Sequence, residues 1–200
     1  MRFAHRASWS ISIGGSLHQL VALYVRDSLG LRPQTDPAIP PLTATPPAAQ
    51  PLAAAEEAVV SAQWAQWWND LLPAVGEPPR PPLPATLADT AELAGYPELR
   101  AVVRANLPDP RWTAARGHED MVLMTEQPRR RQLFETNLVA DIEAERRQAA
   151  RPFSLRITVL PVQTMQGWRI SPHQVMMTRS LFADQAAYER LLRPIVAELA

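Results

Sequence analysis

Few side chains of this 200-residue chain are spaced to do chemistry. Ser171, His173 and Arg179 share one side of a strand if residues 171–179 run extended without a break, because strand side chains alternate. His173 could then serve as a base, and Arg179 could hold a carboxylate or phosphate. Pro172 puts that continuity in question at its start. The plainer reading is a strand-edge His and Arg doing structural work.

Gly117-His118-Glu119-Asp120 packs three potential metal ligands into one loop. Adjacent residues rarely converge on an ion, so a further ligand such as His5, His18 or His173 would have to come from afar. No H-x-x-x-H or H-E-x-x-H is present, and a solvated loop accounts for the cluster equally well. Gly14-Gly15-Ser16 lies between a strand pattern and a helix pattern. Free backbone N–H groups there could hold an anion, with the Ser16 hydroxyl added. The segment is neither a G-x-G-x-x-G nor a Gly-Lys-Ser loop, and Ser16 serves equally as a plain N-cap. Ser16 and His18 stand two apart, which on a helix turns them to different sides.

Two further groupings suggest binding. Arg129-Arg130-Arg131 opens a helix pattern, where positive charge opposes the helix dipole. Such a triplet could be kept for nucleic acid, an acidic protein or the acidic middle of this chain. Glu135, Asp141, Glu143 and Glu145 dilute the patch, and the chain's formal net charge is zero, so nucleic acid is disfavoured. Trp64, Trp67 and Trp68 bring three indoles onto one helix, bracketed by Pro-rich segments. Exposed, they would dominate an interface with another protein; buried, they are core.

Missing residue types remove whole reaction classes. All 20 basic residues are Arg and none is Lys, which excludes Schiff-base, Walker A and kinase-type lysine chemistry. There is no Cys, so no thiolate nucleophile, disulfide, iron–sulfur ligand or Cys-type zinc site exists. The 31 Ala and 21 Pro with only three Asn suggest GC-rich bacterial coding, which makes clustered Arg weaker evidence for nucleic acid. The first residues hold Arg2 and Arg6 but no apolar run, and the longest apolar stretch, Leu20–Val25, is too short to span a bilayer. The expectation is a cytoplasmic protein with no membrane partner and no cofactor.

These groups need elements to position them. Trp9, Ile11 and Ile13 alternate with serines over residues 8–13, a half-buried strand. From Leu17 the apolar spacing turns helical, with Ser16 as N-cap and Gly30 as stop. Residues 33–51 hold seven Pro and 73–84 hold six, linker-like segments in which no regular element survives. A helix over 56–72 carries the tryptophans. Residues 86–105 read as two short helices split at Gly95-Tyr96-Pro97. The longest helix spans 129–150. Residues 153–162 alternate as a strand, and 168–180 contain a second, central one. Asp184 caps a last helix, which Pro194 should kink or split.

The expected architecture is a single α+β domain: a small, mainly antiparallel sheet of the N-terminal strand and a C-terminal hairpin, packed by several helices. The expected function is a non-enzymatic protein-interaction or accessory protein using the Trp helix or Arg129–Arg131. The alternatives are a small enzyme built on His173 with Ser171 and Arg179, and nucleic-acid binding through Arg129–Arg131. Oligomeric state stays open.

Overall fold

The structure is a computed structural model that describes residues 8–72, 91–107 and 133–200. His5, the 73–84 segment, the Gly117–Asp120 loop and Arg129–Arg131 lie outside the described residues. The chain is α+β, with six helices and a four-stranded mixed sheet among those residues. It divides into two compact units.

The first unit holds the sheet. Its strands are β1 (Ser10–Gly14), β2 (Ser154–Leu160), β3 (Gly167–Ser171) and β4 (Gln174–Thr178), in the spatial order β1-β2-β4-β3. β1 and β2 are parallel, β2 and β4 are parallel, and only β3 and β4 form an antiparallel pair. The mainly antiparallel expectation is therefore corrected. The reason lies after β2. Residues 161–164 do not turn back as a hairpin; they belong to the second unit, where Val162 bridges Leu42 and Thr43 N–H donates to the Pro161 carbonyl. The run 168–180 then breaks at Pro172-His173 into β3 and β4, and this is the hairpin. β4 inserts between β2 and β3. Every residue of it is buried, as expected of a central strand flanked on both sides.

One face of the sheet carries Leu155, Ile157, Val159, Val175 and Met177 into a shared core. Leu138, Val139 and Ile142 of helix Phe134–Arg146 meet them, with Tyr188, Leu192, Ile195 and Val196 of helix Gln185–Leu199. Asp184 caps the latter helix at Ala187 N–H, 2.9 Å. The helix runs through Pro194 unsplit. The Tyr188 hydroxyl donates to Glu135 at 2.7 Å, joining the two helices. A short helix, Arg179–Ala183, goes unnoticed in the sequence because it spans little more than one turn; Thr178 caps it.

The second unit is helical. We call its helices α1 (Leu17–Leu29), α2 (Ala54–Asp70) and α3 (Pro97–Asn106). The remaining three, in chain order, are α4 (Phe134–Arg146), α5 (Arg179–Ala183) and α6 (Gln185–Leu199). Ser16 caps α1 by accepting from Gln19 N–H, and Gly30 ends it at φ 65°, where a side chain would be strained. α1 is buried on nearly every side from Gln19 to Leu29.

The Pro-rich residues after α1 are strapped down by its last turn. The Arg26 guanidinium donates to the carbonyls of Ile39 (2.7 Å) and Pro40 (2.8 Å), and Asp27 accepts from Leu42 N–H at 2.7 Å. Proline removes donors from this stretch, so side chains of α1 satisfy the carbonyls that no ladder can reach. Leu31, Ile39 and Leu42 are buried beneath it.

Candidate functional site

α2 has a buried face and an open flank beside it, and the sequence pattern draws attention only to the first. On the inner face Val60, Trp64, Trp67, Trp68 and Leu71 repeat at helical spacing. The indoles of Trp64, Trp67 and Trp68 are 0%, 1% and 1% exposed. Trp64 donates its Nε1–H to the Ala22 carbonyl at 2.7 Å and stacks on Trp68 with ring centroids 5.5 Å apart. The Arg26 guanidinium lies 5.7 Å over the Trp64 ring, a cation–π contact. One cation thus braces both the strap and the Trp helix. Trp67 Nε1 is buried without a hydrogen-bond partner among the described residues. Trp64 therefore meets α1, and all three indoles are buried and present no surface.

The outer face of α2 bears small side chains: Ala54, Ala58, Ser61, Ala62 and Ala65. Arg32-Pro33-Gln34 runs alongside, and Glu57 sits on the near edge. Together they line an open groove of about 570 Å³. The small side chains leave the helix backbone approachable, while Arg32 and Glu57 offer one charge of each sign. Sequence reasoning missed this groove because alanines spaced along a helix read as helix formers, and the apposed Pro segment is distant in sequence.

The other candidates stand apart. His173 Nδ1 contacts the Ser154 carbonyl at 3.0 Å, and Ser171 Oγ accepts from the His173 backbone N–H at 3.3 Å. Both sit at the β3–β4 turn. Arg179 begins α5 beyond the far end of β4, about 16 Å of strand away at 3.3 Å per residue. The uninterrupted strand that would have aligned the three residues does not form. Ser16 Oγ serves as the α1 cap. Gly14 closes β1, and among the described residues no atom beyond its chain neighbours lies within 4 Å of where its Cβ would be.

His18 makes a pairing that spacing alone could not reveal. Its Nδ1 lies 2.8 Å from Glu92 Oε1, with side chains only 13% and 15% exposed. A carboxylate on an imidazole is how a base is oriented. Here it joins the first turn of α1 to the 3₁₀ turn Ala91–Leu93. Close by in sequence, Tyr96 donates to Asp70. Burial and that carboxylate push the Tyr96 phenol up to about 12.

Among the described residues, no three His, Cys, Asp or Glu side chains gather where they could hold a metal ion. No helix there is long and apolar enough to cross a membrane. No family model, curated protein or solved structure matches the chain.

Proposed function

We propose that this is a non-enzymatic interaction protein whose binding surface is the groove between the outer face of α2 and Arg32–Gln34. The observation that carries the reading is the groove itself: an open trough of about 570 Å³, floored by small residues and edged by Arg32 and Glu57. A helix or extended segment of another protein can approach closely over small side chains, and the two rim charges would set its direction. The use made of the ionisable side chains supports the same view. Arg26 and Asp27 hold the Pro-rich strap, His18 and Glu92 pair with each other, and Tyr96 is spent on Asp70.

The test is site-specific photocrosslinking in the native cell from a photoreactive residue at Ala58. A discrete adduct is expected, lost when Ala62→Arg fills the groove while the fold survives. An adduct unchanged by Ala62→Arg, or none from Ala58, would refute the groove as the binding surface.

A further inference from the structure

α4 ends beside a small polar cavity of about 210 Å³ that lies within the first unit. Arg146, Gln148 and Arg151 line it, together with Glu143, Ile142 and Ala150, and every lining residue is among those described. The helix stop shapes it. Arg147 takes up φ 53°, and Gln148 N–H returns to the Glu143 carbonyl at 3.2 Å, so the chain folds back over the last turn of α4. Ala150 N–H then donates to Glu143 Oε1 at 2.7 Å. That bond decides the charge of the cavity. Glu143 and Arg146 stand three apart on α4, where a carboxylate and a guanidinium can pair. Glu143 is drawn instead to the Ala150 amide, and Arg146 makes no ion pair among the described residues. Arg151 is occupied as well: Nε and Nη2 donate at 3.4 Å to the main-chain oxygens of Ala200 and Glu198. Arg146 is the cation left for a ligand, and Gln148 brings a carboxamide donor to the same cavity.

We propose that this cavity binds a small monocarboxylate with a short aliphatic tail. A guanidinium forks onto a carboxylate through two parallel N–H···O bonds, and the Gln148 carboxamide can add a third. Charge limits the ligand to a monoanion. Glu143 places a negative charge in the wall, and the carbonyl end of α4 adds the negative pole of its dipole. A dianion such as sulfate meets that repulsion twice over. Ile142 and Ala150 supply aliphatic lining, which suits a short alkyl chain. Size points the same way, because about 210 Å³ falls below the ~300–1,000 Å³ of pockets for drug-sized ligands. The site is independent of the groove on α2, which belongs to the second unit.

The test is a ¹H–¹⁵N NMR titration of the full chain with sodium butyrate, against sodium chloride at matched ionic strength. Saturable shifts are expected at the Gln148, Ala150 and Arg151 amides, with a Kd on the order of 1–10 mM, as one forked contact at an open site allows. Sodium sulfate should bind about tenfold more weakly or not at all. Arg146→Gln should weaken butyrate binding about tenfold or more. Arg147→Gln, at an exposed neighbour outside the lining, should leave it unchanged. If Arg146→Gln does not fold, Gln148→Ala decides, with an expected loss of about threefold or more. Shifts that match the chloride control, sulfate binding as tight as butyrate, or butyrate binding that ignores Arg146→Gln or falls equally with Arg147→Gln, overturn the proposal.

Discussion

Trp64 and Trp67 sit one turn apart on the same buried stripe, yet their indole nitrogens differ. Trp64 Nε1–H reaches the Ala22 carbonyl, and Trp67 Nε1 reaches no partner among the described residues. Replacing either ring by Phe removes similar volume, but only Trp64→Phe gives up a buried hydrogen bond. Trp64→Phe should therefore cost about 1 kcal/mol more than Trp67→Phe in chemical denaturation. Equal costs would remove the Ala22 contact from the account. Tyr96 gives a second residue-scale test. Burial and Asp70 both favour its neutral phenol, lifting it to about 12 from an ordinary value of 10. The sign follows from linkage. Below pH 10 the phenol is protonated whether folded or unfolded, so its contribution is fully present. Between 10 and 12 the unfolded chain ionises first, and that contribution is lost. An ultraviolet titration of wild type minus Tyr96→Phe should show one phenol ionising near 12. A difference midpoint near 10 would contradict the buried pair.

At the scale of elements, legibility followed local signals. Ser16 and Gly30 bound α1 as their types suggest, because a cap needs only its neighbours. Pro97 opens α3 and Asp184 caps α6 for the same reason. Strand pairing was not legible. The alternation in 153–157 marks a strand but carries no information on its partner's direction, and residues 158–160 are buried on both faces. The role of Pro-rich 33–51 was also hidden, since it depends on Arg26 reaching carbonyls 13 and 14 residues away. That strap yields a prediction. Arg26→Ala should destabilise the protein by about 2–4 kcal/mol, losing charged hydrogen bonds to two carbonyls and the contact over Trp64. Arg26→Lys should recover little, because an ammonium cannot fork between both carbonyls. Hydrogen exchange should rise most at residues 39–43. A uniform rise across the chain would argue against a local strap.

At the scale of the whole molecule, composition excluded more than it identified. The absence of Lys and Cys removes several catalytic classes outright, whereas zero net charge sets only an expectation about nucleic acid. The proposed binding groove was the least legible feature. Tryptophan draws the eye in a sequence because exposed indoles bind strongly, but the same property makes them the first residues to be buried when a second helix is at hand. α1 is that helix for Trp64, and the small side chains of α2 are left on an open flank.

Burial of the three α2 indoles underlies the placement of this helix, and one measurement reads it directly. Protein labelled with 5-fluorotryptophan, its ¹⁹F resonances assigned by single Trp→Phe substitutions, would be titrated with a soluble gadolinium chelate. The Trp64, Trp67 and Trp68 resonances should stay sharp while that of half-buried Trp9 broadens. Broadening of the three α2 indoles to the level of Trp9 would mean that the tryptophan face is outermost, and would contradict the packing of α2 from which the proposed groove is read.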